Sequence, residues 1–116
     1  MADEKPLDPE DAKIVTLARS TRARTGADEG AAVRDTTGRT YTAATVALPS
    51  LELSALQLAV AMAVSSGVDG LEAAAIVTES EILDEDDRAA VTDLGGAETP
   101  IFVAGFDGEV RRVERA

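Results

Sequence analysis

Residues 71–78 read LEAAAIVT, a continuous run of small and branched apolar side chains in which Glu72 is the one charged residue. A run of this length is typical of a strand that is covered on both faces, because a half-exposed strand alternates apolar and polar residues. Gly67 and Gly70 precede the run, and an acidic segment follows it. The stretch therefore predicts the central strand of a sheet with helices on both sides.

Helical and extended patterns on either side of this strand complete an α/β domain. Ser50 is the expected N-cap of the second helix, because serine hydroxyls accept hydrogen bonds from free backbone N–H groups. The order α-β-β-α-β-α-β-β indicates a three-layer α/β/α fold with a mixed five-stranded sheet, since a β-α-β unit joins parallel strands and hairpins join antiparallel ones. The predicted elements are helix 10–25, strands 30–35 and 39–46, helix 51–64, strand 71–78, a helix from the acidic segment to Leu94, and strands 99–104 and 109–113.

The bulk composition restricts the classes of function. The 116 residues carry a formal net charge of -11 and include no Cys and no His. A charge of this sign repels phosphate groups, so we expect no nucleic-acid or membrane partner, and a basic protein partner if any. The absence of Cys and His excludes disulfides, thiol chemistry and the usual zinc ligands.

The N-terminus is acidic and differs from a secretory signal, and no apolar run approaches the ~20 residues of a membrane span. We therefore predict a cytoplasmic protein. It would consist of a flexible acidic N-terminal segment, or lead, over residues 1–9 and a single domain over residues 10–116.

The segment 82–91, ILDEDDRAAV, places four carboxylates in a row before a short helix. Our leading interpretation is capping: Asp84 would be the N-cap, and Asp87 would reach back from the third helical position as in a capping box. A second interpretation is a docking surface for a basic partner, because six acids lie between Glu79 and Asp87. A third is a Mg²⁺ or Ca²⁺ site that includes Asp84 and Asp87, although no EF-hand spacing is present.

Three local stretches resemble the homotetrameric type of cytidine deaminase. They are the hairpin over 30–46, the helix end 61–67 (AMAVSSG) and the final strands over 95–113. The resemblance covers roughly residues 10–113. It implies the cytidine deaminase-like fold, assembly into a dimer or tetramer, and zinc-dependent deamination of a nucleoside.

The residues that would carry this chemistry are replaced. The reaction needs a zinc-bound water, three Cys or His ligands and a glutamate that moves protons. The family's Cys-Ala-Glu step corresponds either to Ser54-Ala55-Leu56 or to Leu56-Gln57-Leu58. Neither register keeps a ligand or an acid, so Ser54 and Leu56 are vestigial zinc-motif positions.

The remaining motifs of the family are replaced in the same way. Its Pro-Cys-Gly-x-Cys-Arg motif corresponds to residues 83–88, so Asp84 and Asp87 stand at the two cysteine positions and Arg88 remains. The vestigial nucleoside-binding positions are Ala27, where the family has Phe, and Thr45 and Ala47, where it has Asn and Glu.

These replacements predict a catalytically degenerate cytidine deaminase-like protein with a structural, interaction or ligand-binding role and no cofactor. We expect a homo-oligomer, because helix 51–64 is apolar on nearly all sides and would be buried centrally or shared with another subunit. One alternative is an active nucleoside deaminase with a relocated site, which would require zinc. The other is an acidic docking module for a basic partner.

Overall fold

The structure is a computed structural model that describes residues 7–116. Most of the predicted flexible lead, residues 1–6, lies outside the described residues, and the first helix already begins at Pro9. No helix of the described part is long and apolar enough to cross a membrane. The elements are α1 (Pro9–Thr25), β1 (Gly30–Asp35), β2 (Thr40–Ala44), β3 (Val46–Leu48), β4 (Leu51–Leu53), α2 (Ala55–Ser65), β5 (Leu71–Val77), α3 (Glu85–Gly95), β6 (Pro100–Ala104) and β7 (Val110–Arg115).

The main sheet has five strands in the order β2-β1-β5-β6-β7. The central strand, β5, is the one that the apolar run 71–78 predicts. It pairs antiparallel with β1 and parallel with β6, while β1–β2 and β6–β7 are antiparallel hairpins. The predicted mixed five-stranded sheet is therefore confirmed.

The helices cover both faces of this sheet, and successive side chains of β5 point to opposite faces. Ala73, Ala75 and Val77 pack in the cluster formed with α1. Ala74 and Ile76 pack in the cluster formed with α2 and α3. The predicted three-layer α/β/α architecture is confirmed.

The start of β1 lies against α1 so closely that only glycine fits. A Cβ atom at Gly30 would be 2.2 Å from the backbone oxygen of Ala18, which is nearer than atoms in proteins approach. This contact positions the start of β1 against α1. Glu29 lies directly before that start, at the edge of the sheet.

The prediction that Ser50 caps the second helix is wrong. Pro49 and Ser50 form the two-residue turn of an additional hairpin, in which β3 pairs with β4. The helix begins at Ala55, and Ser54 is its N-cap. The Ser54 hydroxyl accepts a hydrogen bond from the Gln57 backbone N–H at 3.0 Å, and the Gln57 side chain accepts one from the Ser54 N–H at 3.4 Å. This reciprocal capping box satisfies two N–H groups at once, which explains why the helix starts there.

Candidate functional site

A cavity of about 430 Å³ lies at the edge of the sheet where β1 begins and β5 ends. The N-termini of α2 and α3 border it, so backbone N–H groups and helix dipoles point towards this region. Its apolar floor consists of Ile76, Leu83 and Val103. Its polar wall includes Glu29, Ser54, Thr78, Asp84 and Asp87.

Ser54 and Asp87 meet in this wall. The Ser54 hydroxyl donates to Oδ1 of Asp87 at 2.5 Å, and Asp87 is only 3% exposed. Burial raises the pKa of Asp87, and the negative charges of Asp84 and Asp86 act in the same direction, whereas the Ser54 hydroxyl opposes them. The predicted capping-box role of Asp87 is wrong, because its carboxylate reaches across to α2 rather than back along α3.

Asp84 is the N-cap of α3, as the capping interpretation predicts. Its Oδ1 accepts from the Asp86 backbone N–H at 2.9 Å. Because Asp87 turns inward, the acidic segment keeps five exposed carboxylates, and docking of a basic partner there stays a prediction. The five are Glu79, Glu81, Asp84, Glu85 and Asp86.

Glu29 is the main site residue that the sequence analysis missed. Its Oε2 accepts from the Thr78 hydroxyl at 2.8 Å. Burial raises the pKa of Glu29, although the Thr78 hydrogen bond lowers it, and the nearby charge of Asp87 raises it further. The signal was available in the sequence, since an acid directly before the first residue of a buried strand lies at the edge of the sheet.

Among the three positions predicted to be vestigial nucleoside-binding residues, Thr45 is the one that hydrogen-bonds to a residue of the polar wall. Its hydroxyl donates to the backbone oxygen of Glu29 at 3.3 Å and accepts from the Glu29 N–H at 3.0 Å. Ala47 is exposed on β3. The backbone oxygen of Ala27 accepts from Arg22 Nε at 2.9 Å.

Leu56 and Arg88 do not line the cavity. Leu56 is fully buried in the core between α2 and the sheet. Arg88 instead forms an ion pair with Glu114 of β7 and a second one with Glu85 at 3.3 Å. The structure therefore brings Ser54, Asp84 and Asp87 together and separates them from the other two zinc-motif positions.

The donor set does not fit zinc, the metal that the resemblance implies. Structural and catalytic zinc sites rely on thiolates and imidazoles, with carboxylates as a minority ligand. Ser54, Asp84 and Asp87 offer a hydroxyl and two carboxylates, and each is already engaged in a hydrogen bond. Within residues 7–116, no group of three or more His, Cys, Asp or Glu is placed to hold a metal ion, so the Mg²⁺ or Ca²⁺ interpretation gains no ligand cluster either.

A family model for cytidine deaminase-like proteins matches residues 7–108, and this chain belongs to that family. A search of the curated proteins finds no significant match.

Solved cytidine deaminases share the fold. The enzyme from Burkholderia pseudomallei superposes with a TM-score of 0.78 at 21% identity, over 89% of this chain and 90% of that one. The enzyme from Mycobacterium tuberculosis gives 0.73 at 24% identity, over 93% and 91%. The enzyme from Mycobacterium leprae gives 0.73 at 21% identity, over 93% and 94%.

Proposed function

We propose that this chain is a catalytically degenerate member of the family, with a structural or interaction role in place of deamination. The observation that supports this most directly is the hydrogen bond between Ser54 and Asp87. Residues at two expected zinc-ligand positions bind each other, so the Ser54 hydroxyl and Oδ1 of Asp87 are engaged in a contact within the protein. The contact also favours the register in which the Cys-Ala-Glu step corresponds to Ser54-Ala55-Leu56.

In that register, Leu56 stands where a deaminase needs its proton-transferring glutamate. A leucine side chain cannot transfer protons, and Leu56 is 0% exposed in the core, so this position supplies neither an acid nor a base. Glu29 is an acid on the cavity wall, but the deaminase reaction needs a zinc-bound water as well as an acid. An active enzyme with a relocated site would therefore need both a different metal site and a different acid.

Metal analysis combined with a cytidine assay tests the proposal. Protein purified from zinc-supplemented culture is expected to contain well under one zinc per chain and to leave the absorbance of cytidine unchanged. Glu29→Gln is the matched variant, because it removes the acid on the cavity wall while preserving its size. Stoichiometric zinc together with turnover in the wild type would overturn the proposal, and loss of that turnover in Glu29→Gln would identify the relocated acid.

We also propose that the chain forms a homo-oligomer through the outer α2 face, which we define as Leu58, Ala61, Met62, Val64 and Ser65. Met62 and Val64 are 39% and 53% exposed, and α2 carries no charged residue. Two chains of net charge -11 repel each other, so a second copy is best accommodated on a face without charge.

Size-exclusion chromatography with light scattering tests this assembly. The wild type is expected at the mass of a dimer or tetramer of the 12.0 kDa chain, and Met62→Glu at the mass of a monomer. Thr16→Glu is the control, because Thr16 is an exposed residue on α1, away from the outer α2 face. A wild type that elutes only as a 12.0 kDa species would contradict the proposal.

A further inference from the structure

We infer that the Ser54–Asp87 hydrogen bond is a metal-independent connection between α2 and α3, which holds the two helix N-termini together as a shared metal ion would. The inference rests on the proposed function, because a chain that bound zinc at these positions would need the same atoms. It also predicts that the folded state has no requirement for a metal.

The geometry of the contact supports a mechanical role. Ser54 is the N-cap of α2 and Asp87 lies in the first turn of α3, so the hydrogen bond joins two helix starts that are 33 residues apart in sequence. The Ser54 hydroxyl accepts from the Gln57 backbone N–H and donates to Asp87, and so it caps the start of α2 and connects it to α3. Because Asp87 is nearly inaccessible, water competes little for the bond.

The packing of α3 explains why such a connection matters. Val91 is the one fully buried apolar side chain among its eleven residues, and Ala90 and Leu94 are partly buried, so apolar burial of this helix is limited. Arg88 links its outer side to Glu114 of β7. Asp87 is the corresponding link on the inner side, where it reaches α2.

A double-mutant cycle followed by thermal unfolding of metal-free protein tests the connection. Ser54→Ala and Asp87→Ala are each expected to lower the melting temperature by about 5 °C or more, and the double variant to lose clearly less than the sum. Ser54→Thr, which keeps the hydroxyl, should recover most of the loss. Asp84→Ala is the matched control: it removes the α3 N-cap but leaves the connection, so its effect should add to that of Ser54→Ala.

Additive losses for Ser54→Ala and Asp87→Ala would overturn the inference. The wild type provides a second measurement that does not depend on whether the variants fold. Excess EDTA is expected to change neither its melting temperature nor the hydrogen-exchange protection of the first turns of α2 and α3. A chelator-induced loss of either would also overturn it.

The two failures are distinguishable. Zinc uptake with cytidine turnover would refute the proposed function. Additive variants in a protein that lacks metal and activity would refute only the connection.

Discussion

Asp35 and Asp87 are both almost fully buried, at 1% and 3% exposure, yet their surroundings shift their pKa values in opposite directions. Asp35 lies at the end of β1, where it accepts from the Thr37 hydroxyl at 2.7 Å, and from the Thr37 and Arg39 backbone N–H groups at 2.8 and 3.0 Å. The Tyr41 hydroxyl donates to its second oxygen at 3.0 Å. Hydrogen bonds, above all that of the Thr37 hydroxyl, lower the pKa of Asp35 to about 2 despite its burial.

Asp87 accepts from one side chain, Ser54, and has Asp84 and Asp86 as charged neighbours, so burial prevails and raises its pKa. The comparison indicates that the number of donors decides whether burial is outweighed, and therefore whether the pKa of a buried carboxyl group falls or rises. Asp35 is built into the β1–β2 turn as an anion. Asp87 lies at a helix start that provides it with few donors.

The largest effect is expected from Asp35→Ala. The substitution leaves two backbone N–H groups and two hydroxyls without their acceptor, and it removes the contact that closes the turn. We expect the melting temperature to fall by roughly 10 °C, measured by circular dichroism at neutral pH. Thr36→Ala, an exposed substitution in the same turn, is the control and should change it little.

The isosteric pair Asp35→Asn and Asp87→Asn tests the difference between the two carboxyl groups directly. An amide at position 87 keeps an acceptor for Ser54 and removes a poorly compensated buried charge, so the melting temperature should stay within about 3 °C of wild type or rise. An amide at position 35 replaces an anion that several donors favour, so the melting temperature should fall. Equal losses of melting temperature in the two variants would contradict the difference between Asp35 and Asp87.

The pH dependence of stability should separate the two carboxyl groups by sign. The lowered pKa of Asp35 gives a contribution that is present above pH about 4 and is lost as pH falls through about 2. The raised pKa values of Asp87 and Glu29 give a contribution that is complete below pH about 4 and is lost as pH rises through their folded values.

Urea midpoints measured from pH 2.5 to pH 7 test this. Asp35→Asn should flatten the wild-type curve below pH 4. Asp87→Asn should flatten the wild-type curve above pH 4, and Glu29→Gln should add to this effect. If the urea midpoint of Asp35→Asn falls below pH 4 as much as that of the wild type, Asp35 is not the source of the acid-dependent loss of stability.

Much of the fold could be predicted from the sequence because the decisive patterns are local. The run 71–78 indicates a doubly covered strand, and the glycines that end α1 and α3 bound those helices. The β3–β4 hairpin was missed because Leu51 and Leu53 continue an apolar pattern that helices share. The Ser54-x-x-Gln57 capping box was a local signal for the true helix start.

The site was less predictable because its contacts join residues that are distant in sequence. The resemblance implies that Asp84 and Asp87 share one region with Ser54 or Leu56, but it does not indicate that Ser54 and Asp87 bind each other. Nor does local pattern distinguish an aspartate that caps its own helix from one that reaches another helix, since that choice depends on how α2 and α3 pack. Pairing between strands likewise brings Glu29 next to Thr78, 49 residues away.

The hydrogen bond from Tyr41 to Asp35 also gives the protein an internal optical reporter. Tyr41 is the single tyrosine of the chain, and the chain has no tryptophan. Tyrosine emission therefore arises from this one ring, whose hydroxyl donates to Asp35. In unlabelled protein, tyrosine fluorescence can thus report on the β1–β2 turn, and circular dichroism can report on the whole fold. The two signals distinguish opening of the turn from global unfolding in a single sample.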